Sequence, residues 1–154
     1  MKPEPAREML AAALAELTLA RRHLDYSFQQ VARLPGNLEG VDENQLESIE
    51  AFSSRFARTV DLVVNKVLRS LDRAELLSQG TLLDVVNRAE KRGFLSRPGE
   101  LREMKDVRNI IAHDYAGTKM AEVFVYCREQ KPVLDAICAA ILSYAEPICR
   151  TGSI

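Results

Sequence analysis

Residues 42–71 read DENQLESIEAFSSRFARTVDLVVNKVLRSL, and this stretch decides the fold. Asp42 and Gln45 have the spacing of a capping box, in which two side chains satisfy free N–H groups at the start of a helix. The apolar residues that follow have the spacing of the buried side of a helix: Ile49, Phe52, Phe56, Val60, Val63, Val67 and Leu71. The length of this pattern predicts the central helix of a bundle.

The segments on both sides of this stretch also show helical periodicity. A first helix is predicted from about Glu4 to Leu34, because the proline and glycines of residues 35–40 end it. A third helix is predicted over residues 81–92, with Thr81 as its N-cap.

The C-terminal third of the chain predicts two more helices. The fourth is expected to open near Pro98, a favoured first helical position, and to extend to about Tyr115. The fifth starts near Thr118 and is expected to break or kink at Pro132, since proline removes a backbone donor. The sequence therefore predicts an all-α antiparallel bundle of about five helices, forming a single domain over residues 1–154.

Length and composition agree with one globular domain. The chain has 154 residues, of which 47% are hydrophobic and 28% charged. It has no uninterrupted apolar stretch of eighteen residues. The run from Met9 to Leu19 is interrupted by Glu16 and lacks the cleavage pattern of a signal peptide. We expect a cytoplasmic protein that has no membrane partner.

The cysteines are Cys127, Cys138 and Cys149, an odd number in a chain without an export signal. This argues against a disulfide framework and predicts reduced thiols. Small buried side chains are the favoured interpretation, with a redox or metal role as the alternative.

A net charge of −1 gives no sign of nucleic-acid binding. Locally, arginines and lysines crowd residues 88–108, where they are interleaved with acidic residues. Two interpretations stay open: a solvated surface of salt bridges, or a patch that guides phosphate groups.

Residues 108–115 read RNIIAHDY and combine a fixed cation, an amide, an imidazole and a phenol. On an ideal helix, Arg108 and His113 lie about 140° apart around the axis and about 7.5 Å apart along it. Asn109 and His113 share a face at i,i+4 spacing, while Arg108 and Tyr115 belong to a neighbouring stripe. Two polar stripes therefore flank one ridge of this helix.

This octapeptide resembles the signature of the HEPN superfamily, in which an Arg, a polar residue, a short spacer and a His stand on one helix. The Tyr two residues after the His resembles the HepT toxins. Arg55-Phe56, residues 84–94 and residues 132–134 extend the likeness, which covers roughly residues 45–150.

The resemblance implies a dimeric, metal-independent ribonuclease toxin without a cofactor, paired with a small nucleotidyltransferase antitoxin of the MNT type. It implies that Arg108 and His113 are the catalytic pair and that Asn109 supports them. It also implies that Tyr115 is adenylylated by the antitoxin, which silences the toxin. The expected substrate is RNA.

These residue types suit RNA cleavage, because RNA carries its own nucleophile, the 2′-hydroxyl. A His can act as base or acid near neutral pH, and an Arg presents a planar set of donors to phosphate oxygens. The reaction needs two proton transfers, but each chain has only one His in the motif. A twofold dimer would bring two such histidines together.

Several alternatives stay open. The chain could be a non-catalytic substrate- or partner-binding subunit of a two-component nucleotidyltransferase, or a generic helical interaction module. Tyr115 could be a structural ring, and His23 is interpreted as a solvated or packing residue. A metal site at the carboxylates Glu100, Glu103, Asp106 and Asp114 is disfavoured, since helix charge pairing with Arg102 and Lys105 explains most of them.

Overall fold

The computed structural model describes residues 3–114 and 116–150, and within these ranges the chain is helical and has no strand. Its helices are α1 (Pro3–Val31), α2 (Glu43–Leu62), α3 (Leu68–Ala74), α4 (Leu82–Lys91), α5 (Glu100–His113) and α6 (Met120–Arg150). A π-helical turn, Val63–Val67, joins α2 to α3 without a break, so these residues form five helical rods. The prediction of an all-α bundle of about five helices is confirmed.

The central rod, which runs from α2 to α3, begins as its sequence predicts. Asp42 Oδ1 accepts a hydrogen bond from the Gln45 N–H at 2.8 Å, and Gln45 Oε1 accepts one from the Asp42 N–H at 2.9 Å. Every apolar residue predicted for the buried side of the rod is at most 1% exposed. The π-helical turn holds one extra residue, so both Val63 and Val64 face the core.

α1 lies antiparallel to the central rod. Late in α1, Ser27 Oγ accepts a hydrogen bond from Arg55 at 2.7 Å, whereas earlier in α1 Glu16 pairs with Lys66 at 2.6 Å. α6 packs against both α1 and α2, and its Phe124 ring meets a core phenylalanine of α2 edge-on at 6.3 Å. The core therefore lies between α1, the central rod and α6.

α4 is held against α3 by the α3–α4 charge cluster, which we define as Asp72, Glu75, Arg88 and Arg92. Asp72 is 1% exposed, and nitrogens of Arg88 and Arg92 lie 3.0 and 2.9 Å from its carboxylate oxygens. Glu75 pairs with Arg92 at 2.9 Å and also accepts a hydrogen bond from Tyr144 of α6. The cluster thus ties three helices together.

The predicted start of α4 is confirmed, like that of α2, whereas the predicted first residue of α5 is wrong. Thr81 caps α4 in a second capping box. α5 begins at Glu100, and Pro98 is not its first residue. The reason is local: Gly99 has a φ of 83°, outside the right-handed helical region, and Glu100 accepts hydrogen bonds from Ser96 N and Oγ at 3.0 and 2.8 Å.

Of the break or kink predicted at Pro132, the break is wrong, because α6 runs unbroken from Met120 to Arg150 through Pro132 and Pro147. Proline removes one helix hydrogen bond, but it does not prevent the residues that follow it from packing. Leu134 and Ile137 are buried directly after the first proline. Burial of this face outweighs the local cost.

Among the described helices, α6 is the one that is long and apolar enough to cross a membrane, with a mean hydropathy of 1.4 over its best window. The core helix of a bundle meets the same criterion of length and composition. Here α6 lies against α1 and α2. Its buried Lys131 forms ion pairs with Asp25 of α1 and with Asp135.

Candidate functional site

Arg108, Asn109 and His113 lie in the last two turns of α5, whose inner side is anchored in the core. Leu101 and Met104 of this helix have no exposed surface. The outer side carries Asn109, Ile110 and His113, and all three are exposed. The buried side of the first half of α5 therefore fixes the position of the exposed second half.

Asn109, Ile110 and His113 line a shallow surface depression together with Asp114 and Lys119, which we call the His113 hollow. The shared face predicted for Asn109 and His113 is confirmed by this lining. Ile110 is 38% exposed, although it is a large apolar residue. The lining of the hollow thus combines one apolar side chain with an imidazole, an amide, a carboxylate and a lysine.

Arg108 lies on the neighbouring stripe, which faces α2. Its Nε donates to Asp61 Oδ2 at 2.6 Å, and Lys105 Nζ donates to Asp61 Oδ1 at 2.6 Å. Partial burial acts to raise the pKa of Asp61, but the hydrogen bonds and charges of Lys105 and Arg108 outweigh it and hold this pKa below its usual value. Asp61 is therefore a carboxylate that orients two cations.

The two polar stripes meet at Asn109. Arg108 NH1 donates a hydrogen bond to Asn109 Oδ1 at 3.4 Å, and Asn109 lines the hollow together with His113. Arg108 is not among the described residues that line this hollow, as expected from the angle between the stripes. Its guanidinium group borders the hollow through Asn109.

Asp114 ends α5 directly after His113. Its carboxylate accepts hydrogen bonds from the Thr118 N–H and hydroxyl at 3.1 Å and from the Lys119 N–H at 2.9 Å. The Lys119 N–H, followed by the Thr118 donors, holds the pKa of Asp114 below its usual value. α5 thus ends before Tyr115, the predicted end of the helix, and Tyr115 itself lies outside the described residues.

Three of the acidic residues around the motif have partners outside α5: Glu100 binds Ser96, Glu103 binds Arg97, and Asp114 binds the turn that follows it. Glu103 pairs with Arg97 at 2.6 Å. Lys105 pairs with Asp61 across the helix interface, so the expectation that Lys105 pairs along its own helix is wrong. Within residues 3–114 and 116–150, no three His, Cys, Asp or Glu side chains are grouped so that they could hold a metal ion. Residues 88–108 were predicted to be either a surface of salt bridges or a patch that guides phosphate groups. Lys105, Arg88 and Arg92 form salt bridges.

Two residues of the site, Asp61 and Lys119, were not predicted from the sequence. Asp61 interrupts the run Val60-Asp61-Leu62-Val63, and a carboxylate in such an apolar run was the available signal that it has a partner. Lys119 reaches the hollow only because the turn after Asp114 folds back, and no spacing rule reveals this turn.

The cysteines lie outside the site. Cys127 and Cys138 have no exposed surface, which confirms their predicted burial, and Cys149 is partly buried. Burial raises the pKa of the Cys127 thiol to about 12, and burial is also the largest cause that raises the pKa of Cys138 to about 12. The reactive thiolate form is disfavoured at both positions.

Comparison with known proteins gives one family. The family model HepT-like, described as Ribonuclease HepT-like, matches residues 29–141. No curated protein and no solved structure gives a significant match. The matched stretch runs from the last turn of α1 into α6 and includes Asp61, the octapeptide and Lys119.

Proposed function

Since the chain belongs to the HepT-like ribonuclease family, whose model matches residues 29–141, we propose that it is a metal-independent endoribonuclease and the toxin of a toxin–antitoxin pair. The observation that carries the proposal is the His113 hollow, where an exposed imidazole and an amide lie beside an oriented guanidinium group. The proposed place of action is the cytoplasm.

In the proposed reaction, the 2′-oxygen of RNA attacks the adjacent phosphorus and the 5′-oxygen leaves. An imidazole takes the proton of the 2′-hydroxyl as the P–O bond forms. An imidazolium gives a proton to the departing oxygen. Arg108 offsets the charge that grows on the phosphate oxygens, which is the role of a preorganised cation.

Two proton transfers favour two histidines, and we propose that a second copy of the chain supplies the other. In a twofold dimer, the same surface of both chains meets, so that two His113 side chains would face one cleft. Ile110 supports this arrangement, because an apolar side chain that is 38% exposed in the lining of the hollow would gain burial in such an interface.

The test is expression of the chain without a partner, which should slow growth, together with an RNA cleavage assay in EDTA. His113→Ala and Arg108→Ala should each relieve the growth effect and lower the cleavage rate by at least about 10²-fold, since they remove a proton donor or acceptor and a transition-state cation. Circular dichroism should show the same helix content for the variants.

The matched controls are His23→Ala and Arg102→Ala, because both residues are exposed and lie outside the His113 hollow. Both controls should cleave RNA like the unchanged chain. Full toxicity of His113→Ala at equal expression would contradict the mechanism. A chain that binds a nucleotidyltransferase but cleaves no RNA would instead support the non-catalytic subunit.

A second part of the proposal concerns neutralisation. We propose that a nucleotidyltransferase antitoxin of the MNT type transfers AMP from ATP to Tyr115. The phenol oxygen would bond to the α-phosphorus, and pyrophosphate would leave. Tyr115 directly follows Asp114, a residue of the His113 hollow, so a phosphodiester there would bring a negative charge and a nucleoside close to the proposed cleavage site.

A further inference from the structure

A second cleft lies on the other side of Asp114 from the His113 hollow. It has a volume of about 340 Å³, near the lower end of the range for small-molecule sites. α2 forms one wall, the end of α5 and the start of α6 form the others, and Asp114 borders both this cleft and the hollow. Its walls include Glu50, Ser53, Ser54, Ile111, Met120 and Val123.

The second feature of this cleft is the buried side chain of Ser53 in its α2 wall. Ser53 is 7% exposed, and its Oγ has no hydrogen-bond partner among the described residues. Two other hydroxyls of the same helix bond back to their own backbone: Thr59 to Arg55 O at 2.8 Å and Ser48 to Asn44 O at 3.2 Å. Leaving a buried hydroxyl unpaired is unfavourable, so a ligand that pairs with it would gain affinity.

The chemistry of the walls favours a nucleobase over a phosphate group. Ile111, Met120 and Val123 provide apolar surface for a flat ring. Glu50 and Asp114 are both acidic, and among the described residues that line this cleft there is no Lys or Arg to offset their charge, whereas Lys119 does so in the His113 hollow. An anion is therefore disfavoured in this cleft. The oxygens of Asp114 already accept three hydrogen bonds within the turn, which leaves Glu50 as the main acceptor for a ligand.

We propose that this cleft is a nucleobase subsite for the RNA substrate, selective for a base with an exocyclic amino group. The amino group donates to the Glu50 carboxylate, and the Ser53 hydroxyl pairs with a ring nitrogen or a carbonyl oxygen of the base. Adenine, cytosine and guanine carry such an amino group, and uracil does not. The proposal rests on the proposed ribonuclease function, since the neighbouring hollow then holds the phosphate that is cleaved.

The first experiment measures binding without catalysis. Full-length His113→Ala protein is titrated with adenosine, cytidine, guanosine and uridine, and the dissociation constants are measured by NMR. At least one amino-bearing nucleoside should bind about tenfold or more tighter than uridine, the effect of one hydrogen bond to a charged group. Glu50→Gln should weaken this nucleoside and leave uridine unchanged, because only the amino group pairs with Glu50. Ser53→Ala should weaken all four nucleosides, because each base offers its hydroxyl a ring nitrogen or a carbonyl oxygen.

Glu47→Gln and Ser48→Ala are the matched controls, because they change the same residue types on α2 outside this cleft. Equal affinity for all four nucleosides, or a preference that survives Glu50→Gln, would overturn the proposal.

The second experiment separates the subsite from the proposed function. RNA oligonucleotides that differ in one base beside the cleavage position are cleaved by the unchanged chain and by Glu50→Gln, and kcat/KM is compared. Base preference should be present in the unchanged chain and fall to within about twofold in the variant. Selective nucleoside binding without any cleavage would contradict the ribonuclease and keep the subsite. Cleavage without base preference would contradict the subsite and support the ribonuclease.

Discussion

Asp61 is the residue that determines how Arg108 presents its charge. The carboxylate binds Arg108 through Nε, so the outer nitrogens of the guanidinium group keep donors for phosphate oxygens. Asp61 does not line the His113 hollow, and its proposed part is therefore positioning.

We predict that Asp61→Asn lowers kcat/KM for RNA by on the order of tenfold, because the guanidinium group loses its charged partner and its fixed orientation. The double variant Asp61→Asn, Arg108→Ala should be no worse than Arg108→Ala alone, since the two residues act as one unit. Thermal unfolding of each variant is the control. A purely structural role would give additive losses that follow the change in stability, and this result would rule out positioning.

Tyr115 carries the residue-scale prediction on regulation. With the cognate nucleotidyltransferase and ATP, the chain should gain the mass of AMP and lose its RNA cleavage, and Tyr115→Phe should show neither effect. Phenylalanine keeps the ring and lacks the nucleophilic oxygen, so stability should change little. Intact-protein mass spectrometry followed by peptide mapping measures this.

Tyr26 is an internal control for adenylylation, because it is 65% exposed and belongs to α1. A nucleotidyltransferase that modified any accessible tyrosine would label it too. An adduct on Tyr26, Tyr126 or Tyr144 alone would refute the regulatory proposal and leave the ribonuclease untouched.

At the scale of elements, the α3–α4 charge cluster explains how a short helix keeps its place. α4 has ten residues, too few to be stable alone in water, and must be held by tertiary contacts. Asp72 is the buried acceptor that both arginines share.

We predict that Asp72→Ala lowers the free energy of unfolding by about 3 kcal/mol, because it removes the buried carboxylate that two arginines share and leaves Arg92 with Glu75 alone. Urea unfolding measures this loss, and hydrogen exchange should show α4 opening first. Glu16→Ala is the control, since it removes an exposed ion pair to Lys66 and should cost at most about 1 kcal/mol. Equal decreases in the free energy of unfolding in the two variants would show that the α3–α4 charge cluster stabilises the fold no more than an exposed ion pair does.

Local patterns predicted the helices well, and contacts between distant residues account for the errors. The capping boxes at Asp42 and Thr81 join residues three positions apart, so the sequence alone reveals them. The break expected at Pro132 did not occur, because packing against α1 and α2 holds both halves of α6. Local sequence preferences are overridden by tertiary packing where a helix buries a large apolar surface.

In the candidate site, too, local spacing was predictable from the sequence and contacts between distant residues were not. The octapeptide placed Asn109 and His113 on one face because they share a helix. Asp61 precedes its partner Arg108 by 47 positions, and only the folded bundle brings the two together. The cleft beside Ser53 needs three helices, so no single motif could predict it.

At the scale of the whole molecule, the described chain carries one candidate site at one end of α5. We predict that the purified protein is a homodimer in which the α5 helices face a common cleft. Ile110→Glu should convert it to a monomer, because this substitution would place like charges opposite each other across the twofold axis. Sedimentation and light scattering at micromolar concentration measure the mass.

Leu19→Glu is the matched control for the dimer, since Leu19 is 46% exposed and belongs to α1. The Ile110→Glu monomer should also lose most of its RNA cleavage, because each chain then has one imidazole at its site. A monomeric unchanged chain with full cleavage would refute the shared cleft.

The hydrogen bonds of Asp114 also set a limit on how this chain can vary in length. Both carboxylate oxygens are used within the next five residues, by donors of Thr118 and Lys119. A single inserted residue between Asp114 and Lys119 would separate the acceptor from its donors and move the start of α6 away from His113. Insertions and deletions are better accommodated at residues 32–42, where the chain crosses from α1 to α2 far from the octapeptide in sequence.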